Sequence, residues 1–364
     1  MISLRKEIFE DIILVILALF LLFFLSIIET KSIKVKDKWY EEKLQAAFLM
    51  EECLEEVKCE RLRRNIPINK EIDIQETGLI GCDITPITTT SGSLEAKRTS
   101  VNPDFAAVVV DMMKNLKLKP KDSIAVNFSG SFPALNIAVL CASEVLDLNP
   151  VIISSIGAST WGANIPEFTY IDMENLLYQK GLITNRSLAV SRGGAGDLGK
   201  DMDKETIDAI VERARGYGLE IITEENLKVN ISKRYDFYVR KGKNIKAFIN
   251  VGGNIISLGT SPDTTNFTPG IIVDKNVKIN EKSGLIQLFL FRNTPVIHLL
   301  NIKKLALDYG LPVDPSLPIV IGDSDVYYTV RYDTTIAILT FCLSALTILL
   351  LGKKKREKND CYKF

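Results

Sequence analysis

The sequence predicts an α/β protein: a Rossmann-like, three-layer domain with a mostly parallel sheet, flanked by N- and C-terminal transmembrane helices. Two long apolar runs bracket the chain, Ile12 to Ile28 and Ile336 to Leu351. Between them, short and nearly all-apolar segments alternate with amphipathic ones, as expected for parallel strands covered by helices on both faces. The loops that follow these segments are rich in glycine and serine.

Each apolar run is expected to form a membrane span. Neither contains a charged residue, and a buried helix of a globular protein is rarely apolar all round. A spanning helix needs about 20 residues, so flanking residues extend the spans to 12–30 and 334–352. Because Glu29 follows the first run and no small-residue cleavage site is visible, we expect an uncleaved anchor rather than a signal peptide.

The orientation of these spans follows from the basic residues beside them. Lys353, Lys354, Lys355, Arg356 and Lys358 follow the second run, and such clusters stay on the cytoplasmic side. We therefore expect a cytoplasmic N-terminus at 1–11 and a basic cytoplasmic tail at 353–364. Residues 31–333 would form an extracytoplasmic domain at the plasma membrane.

Composition excludes several classes of function. The chain has 45 basic and 45 acidic residues and one histidine. Neutrality without a basic stripe argues against nucleic acid as a partner, and no metal-type cysteine spacing occurs, so neither a metal nor a cofactor is expected. The cysteines at 53, 59, 82 and 141 are expected to be free thiols rather than a disulfide framework, although their pairing stays open.

The elements of the domain can be placed in order. A charged amphipathic helix at 37–64 is predicted beside the membrane, and a loop of small residues at 85–95 follows it. Beyond this loop the pattern predicts strands at 123–128, 151–155, 188–191 and 247–251, and helices at 103–116, 133–146, 169–180 and 203–217.

The loops after the predicted strands form the predicted ligand site. Ligands of open α/β sheets bind at the carboxyl ends of the strands, where glycine lets the backbone approach a ligand closely. Hydroxyl groups and the guanidinium of Arg192 would add hydrogen bonds. The predicted ligand-binding residues are Ser129, Gly130, Ser131, Ser159, Thr160, Trp161, Asn164, Ser191, Arg192, Gly193, Gly194, Asp197, Gly252, Gly253 and Asn254.

The sequence contains few signals of catalysis. Ser129 and Ser131 are weak candidate nucleophiles, but no G-x-S-x-G elbow surrounds them. The single histidine, His298, lies in an apolar run and is expected to be a core residue. A serine with Lys97 or Asp197 as its base is chemically feasible, although no spacing supports it. The phosphate-binding glycine motif G-x-x-x-x-G-K-[ST] does not occur.

Four long runs of this chain resemble one bacterial family. They are TPITTTSGSLEAKRTSVNPDFAAVVVDM (85–112), NFSGSFPALNIAVLCASEVL (127–146), VIISSIGASTWGANIPEFTYIDME (151–174) and the SRGGAGDLG loop (191–199). Together with the terminal spans they are similar to the poly-gamma-glutamate system protein family. The resemblance implies a partner of the membrane synthase that makes and exports poly-gamma-glutamate as a capsule or released polymer. It implies no catalytic residues.

Three functions therefore stay open at this stage. The first is a membrane-anchored accessory protein of poly-gamma-glutamate synthesis or export that binds the polymer, or a synthase or export component, on the extracytoplasmic side. The second is an extracytoplasmic hydrolase or transferase that acts on the polymer with a serine nucleophile. The third is a structural partner that uses the 37–64 helix and the membrane spans.

Overall fold

The computed structural model describes residues 2–260, 267–274, 276–332 and 334–361, and within those ranges the side chains from 12 to 350. The boundary that we predicted at residue 333 and the last three residues of the basic tail lie outside the described residues. The chain divides into two compact units, one formed by 1–37 with 328–364 and the other by Lys38–Tyr327.

The secondary structure follows the order expected of an α/β chain. The strands are β1 (Ile33–Lys36), β2 (Ser123–Asn127), β3 (Asn149–Ser155), β4 (Ala189–Ser191), β5 (Glu220–Ile222), β6 (Ile245–Val251), β7 (Gly270–Ile272), β8 (Val296–Leu299) and β9 (Tyr328–Arg331). The helices are α1 (Ile2–Thr30), α2 (Tyr40–Arg63), α3 (Leu94–Ser100), α4 (Asp104–Asn115), α5 (Pro133–Val145), α6 (Tyr170–Gln179), α7 (Lys204–Gly216), α8 (Leu227–Gly242), α9 (Ile255–Leu258), α10 (Leu285–Phe291), α11 (Ile302–Asp308) and α12 (Thr334–Cys361).

The smaller unit contains the two terminal helices and a two-stranded antiparallel sheet of β1 and β9. Within α1, Ile12–Thr30 is long and apolar enough to cross a membrane, by length and composition. The apolar part of α12, Thr334–Leu350, is shorter. In α12 the hydroxyls of Thr340 and Ser344 donate to backbone carbonyls four residues earlier, which satisfies these polar groups inside the helix.

The larger unit is built on a seven-stranded sheet in the order β5-β4-β3-β2-β6-β8-β7. Every neighbouring pair is parallel except β7 and β8. From β2, the chain adds β3, β4 and β5 outward on one side; on the other side β6 neighbours β2, and β8 lies between β6 and the edge strand β7. This topology confirms the predicted α/β class with a mostly parallel sheet and is consistent with a Rossmann-like fold.

Apolar side chains hold the helices on this sheet. Tyr238 of α8, Phe248 of β6 and Phe289 of α10 form an aromatic cluster in which the last two rings stack with their centres 4.5 Å apart. A second cluster packs Ile171 of α6 and Ile207 of α7 against β4. The buried aromatic and aliphatic surface is the main stabilising contribution to such a layered domain.

The strands and helices predicted between 37 and 251 are present, with ends shifted by a few residues. The predictions for the histidine, as a core residue, and for the cysteines, as free thiols, also agree with the structure. His298 is buried in β8, 3.1 Å from the Asn250 side chain, and burial lowers the pKa of its imidazole to about 4. Cys53, Cys59, Cys82 and Cys141 are free thiols. Cys53 on α2 and Cys141 on α5 contact each other, with their sulfur atoms 3.9 Å apart.

Candidate functional site

A pocket of about 650 Å³ opens at the carboxyl edge of the parallel strands. Its walls are the segments that follow β2, β3, β4, β6 and β8, together with the segment 89–97 that leads into α3. The switch in strand order lies where β2 neighbours β6, and open α/β sheets bind ligands beside such a switch. The predicted residues that line this pocket are Ser129, Ser131, Ser159, Gly193, Gly194, Asp197, Gly253 and Asn254.

The other predicted residues do not line the pocket. They are Gly130, Thr160, Trp161, Asn164, Ser191, Arg192 and Gly252. Several of them support the wall instead: the Asn164 side chain bonds to both backbone polar groups of Cys82. Arg192, expected to bind an anionic ligand, forms an ion pair with Asp208 at 2.5 Å.

Lys97 places a buried amine at the wall of the pocket. It lies on α3 and is 2% exposed, and its Nζ is 2.8 Å from Ser159 Oγ. The same nitrogen donates to the carbonyl oxygen of Ser131 and lies 3.8 Å from the centre of the Phe132 ring. Because burial disfavours the charged ammonium, the pKa of Lys97 falls to about 7. At neutral pH a large fraction of this amine is therefore uncharged.

The three predicted serines that line the pocket differ in their hydrogen-bond partners. Ser129 Oγ accepts the N–H of Ser131 at 3.1 Å, and Ser131 Oγ accepts the N–H of Ser159 at 3.0 Å. These contacts fix the turn after β2 against the loop after β3. Only Ser159, among the described contacts of these hydroxyls, is hydrogen-bonded to the Lys97 amine. Ser159 is therefore better placed than Ser129 or Ser131 to lose its proton to a base.

Gly92 leaves the space in front of this serine. The segment that contains it runs beside the loop after β3, with hydrogen bonds from Thr89 N to Ala158 O and from Thr160 N to Thr90 O, both at 2.9 Å. A Cβ atom on Gly92 would lie 2.7 Å from the carbonyl oxygen of Thr160 and 3.0 Å from Ser159 Oγ. Any larger residue would therefore displace the serine or fill the space beside it.

A glycine loop after β4 forms the opposite wall. Gly194 has φ +66°, a backbone conformation that favours glycine. Asp201 closes the loop, because its Oδ1 accepts the N–H of Ala195 at 2.7 Å. A Cβ atom on Gly194 would lie 2.3 Å from that carboxylate oxygen, so glycine is required for this closure.

A buried ion pair between the loop and α8 fixes the glycine loop in place. Asp197, in the loop, lies 2.6 Å from Arg234 Nη2, and both side chains are at least 95% buried. The same carboxylate accepts hydrogen bonds from Ser191 Oγ and Asn230 Nδ2. Arg234 also donates to Asn230 Oδ1 at 3.0 Å. The charge of Asp197 is thus neutralised beneath the pocket.

Sequence reasoning missed part of this site. The sequence pattern makes Lys97 a feasible base but predicts no helix around it, and it places neither 89–93 nor Asn301 and Lys303 at the pocket. One signal was present for α3, since Ser93 precedes good helix formers and its Oγ accepts the N–H of Ala96. No local pattern signals Lys303, which forms an ion pair with Glu95 of α3.

Among the described residues, no group of three or more His, Cys, Asp or Glu side chains lies close enough together to hold a metal ion. Comparisons with protein-family models, curated proteins and solved structures gave no match for this chain.

Proposed function

We propose that this protein is a serine–lysine acyl-transfer enzyme, a hydrolase or transferase in which Ser159 is the nucleophile and Lys97 is its base. One observation carries the proposal: the Lys97 amine lies 2.8 Å from Ser159 Oγ at a pocket wall. A serine hydroxyl is a weak nucleophile until a neighbouring base takes its proton. An amine with a pKa of about 7 is suited to that task at neutral pH.

The reaction uses the groups already in contact. Neutral Lys97 accepts the proton of Ser159 while the serine oxygen attacks the substrate carbonyl carbon. The tetrahedral intermediate then expels an amine, which takes the proton from the Lys97 ammonium, and an ester to Ser159 remains. Water or an amine acceptor attacks this ester, passes its proton to Lys97 and restores the Ser159 hydroxyl. The Ser131 carbonyl holds the lysine in place throughout.

Poly-gamma-glutamate is the substrate that we propose. The resemblance of the loops to the poly-gamma-glutamate system family supports this choice, and each linkage between glutamate units of that polymer is an amide that acyl transfer can cleave. The volume of about 650 Å³ suits a short stretch of chain. Lys303 at the pocket offers a cation for a substrate carboxylate if it leaves Glu95.

Binding without chemistry is the second candidate function. In that case the protein would hold the polymer, or a component of the synthase or export machinery, as an accessory protein. Its support is the contact between Lys97 and the Ser131 carbonyl, because a buried lysine that joins two loops also serves to shape a binding pocket. The two functions differ in whether a covalent bond to Ser159 forms.

The location that we propose is the plasma membrane, with both terminal helices spanning it. The apolar length of Ile12–Thr30 supports one span, and the basic residues after the apolar part of α12 support a second span with both termini in the cytoplasm. The α/β unit would then be extracytoplasmic and meet the polymer after synthesis. Protease added to intact cells should degrade this unit, whereas protection of the unit would contradict the orientation.

The test of the enzymatic proposal is polymer cleavage. Full-length protein in detergent is incubated with poly-gamma-glutamate of defined length, and chain length and new amino termini are measured. Ser159→Ala should abolish shortening or transfer. Ser143→Ala, a buried serine of α5 that donates to its own helix, should retain activity. If Ser159→Ala and the unaltered protein give the same chain length and the same number of new amino termini, the enzymatic proposal is overturned and binding alone is favoured.

A further inference from the structure

The Lys97 amine depends on the placement of α3, which is too short to place itself. This helix has seven residues, and isolated helices shorter than about 12 residues are marginal in water. Contacts with the rest of the unit must therefore fix its position and its rotation about its own axis. A small rotation would move the long lysine side chain away from Ser159.

Two contacts that hold α3 are made by one residue, Asp314. The Arg98 guanidinium, next to Lys97 in the chain, binds the Asp314 carboxylate through two hydrogen bonds, Nε to Oδ1 at 2.5 Å and Nη2 to Oδ2 at 2.6 Å. The backbone N–H of Asp314 donates to Thr99 Oγ1 at 2.9 Å. Asp314 is therefore hydrogen-bonded to Arg98 and Thr99, the two residues of α3 that follow Lys97. Such a two-point carboxylate pair fixes orientation as well as distance.

The ion pair is partly shielded from solvent, with Arg98 18% and Asp314 22% exposed. Asp314 adopts φ +48°, a conformation that asparagine and aspartate tolerate better than most residues. Asparagine at this position therefore keeps the backbone and its bond to Thr99 while it removes the charge. This property makes Asp314→Asn a mild test of the pair.

We propose that Arg98 and Asp314 are positioning residues that hold Lys97 Nζ against Ser159. The inference rests on the proposed serine–lysine function. The other charged groups that line the pocket are Asp197, Asp201 and Lys303. Asp197 is neutralised by Arg234, and Lys303 is paired with Glu95 on α3 itself. Neither Arg98 nor Asp314 lines the pocket, so this pair acts through the helix rather than by contact with substrate.

The test follows covalent labelling of Ser159 by a fluorophosphonate as a function of pH, on the full-length protein in detergent. In the unaltered protein the rate should rise with a midpoint near pH 7, as the Lys97 amine loses its proton. In Asp314→Asn and Arg98→Met the maximal rate should fall about tenfold or more, and the midpoint should move up by about one unit, because a displaced lysine regains water.

A matched control separates placement from general loss of stability. Arg213 forms a similar two-point pair with Asp172, between α7 and α6 and outside the pocket. Arg213→Met should lower thermal stability yet leave the midpoint and maximal rate unchanged. If Asp314→Asn and Arg98→Met are labelled with the same pH profile as the unaltered protein, the inference is overturned. An equal shift of the midpoint in Arg213→Met would also overturn it. Absence of a Ser159 adduct in the wild type would instead overturn the proposed function.

Discussion

The amine of Lys97 and the hydroxyl of Ser159 are hydrogen-bonded at 2.8 Å although 62 residues separate them in the chain. The lysine is placed by α3 and the serine by the loop after β3, and the Ser131 carbonyl accepts a second hydrogen bond from the same amine. A charged ammonium would lose much of its hydration at this buried position. The contact therefore has consequences for stability as well as for chemistry.

Replacing Lys97 with methionine should abolish acyl transfer while it stabilises the fold at neutral pH. The folded pKa of Lys97, about 7, lies below the ordinary value of 10.5. Between these values the unfolded chain binds a proton that the folded protein does not, so the free energy of unfolding rises with pH by up to about 1.4 kcal/mol per unit. Chemical denaturation of Lys97→Met should lack this rise. Equal slopes in both proteins would contradict the burial of a titrating amine.

Replacing Gly92 with alanine should slow Ser159 labelling while the fold persists. The new Cβ would approach the Thr160 carbonyl oxygen to 2.7 Å, so the serine loop must shift. Misplacement of a catalytic group by about 1 Å can lower the rate about 100-fold. Gly216→Ala is the control, because nothing lies within 4 Å of its Cβ position on α7. Normal labelling in Gly92→Ala would show that the serine tolerates this displacement.

Removing the carboxylate of Asp197 should destabilise the protein strongly. Arg234 would then be a buried cation without its ion-pair partner, which costs about 3–5 kcal/mol. Asp208→Asn, which breaks the more exposed pair with Arg192, should cost less than about 1 kcal/mol. Denaturation of Asp197→Asn and Asp208→Asn measures both effects. Similar losses in the two variants would contradict the burial of the Asp197–Arg234 pair.

Glu174 should make stability fall as pH rises through the weakly acidic range. Burial raises the pKa of its carboxyl to about 7 from the ordinary 4.5. Between these values the folded protein binds a proton that the unfolded chain has lost, so the free energy of unfolding decreases with increasing pH. Glu174→Gln should remove this component, whereas the exposed Glu225→Gln should not. An unchanged slope in Glu174→Gln would contradict the prediction.

The fold class was predictable from the sequence because β2, β3 and β6 are short apolar runs, α5 is an apolar segment that opens with Pro133, and α7 is amphipathic. Helix α8 is hard to predict from the sequence, since Asn230 and Arg234 lie among the apolar residues of its buried face and interrupt the apolar stripe. The edge strand β5 and the seven-residue helices α3, α10 and α11 are too short to leave a clear periodic signal.

The walls of the pocket were predictable in part, and the base–serine contact was not. Loops after parallel strands meet at one edge of a sheet, so residues such as Ser129 and Gly193 could be expected near each other. The hydrogen-bond partner of each serine cannot be predicted from sequence spacing, however. Ser129 and Ser131 use their hydroxyl oxygens to accept backbone N–H groups, whereas Ser159 contacts the lysine of a helix that the sequence pattern did not indicate.

The most direct test of the central claim is to locate the covalent adduct by mass spectrometry after the full-length protein reacts with a fluorophosphonate. Activation of Ser159 by Lys97 predicts a single adduct on Ser159 in the unaltered protein, and none in a folded Lys97→Met variant. An adduct on Ser129 or Ser131, or equally fast labelling of Ser159 without the lysine amine, would contradict the claim.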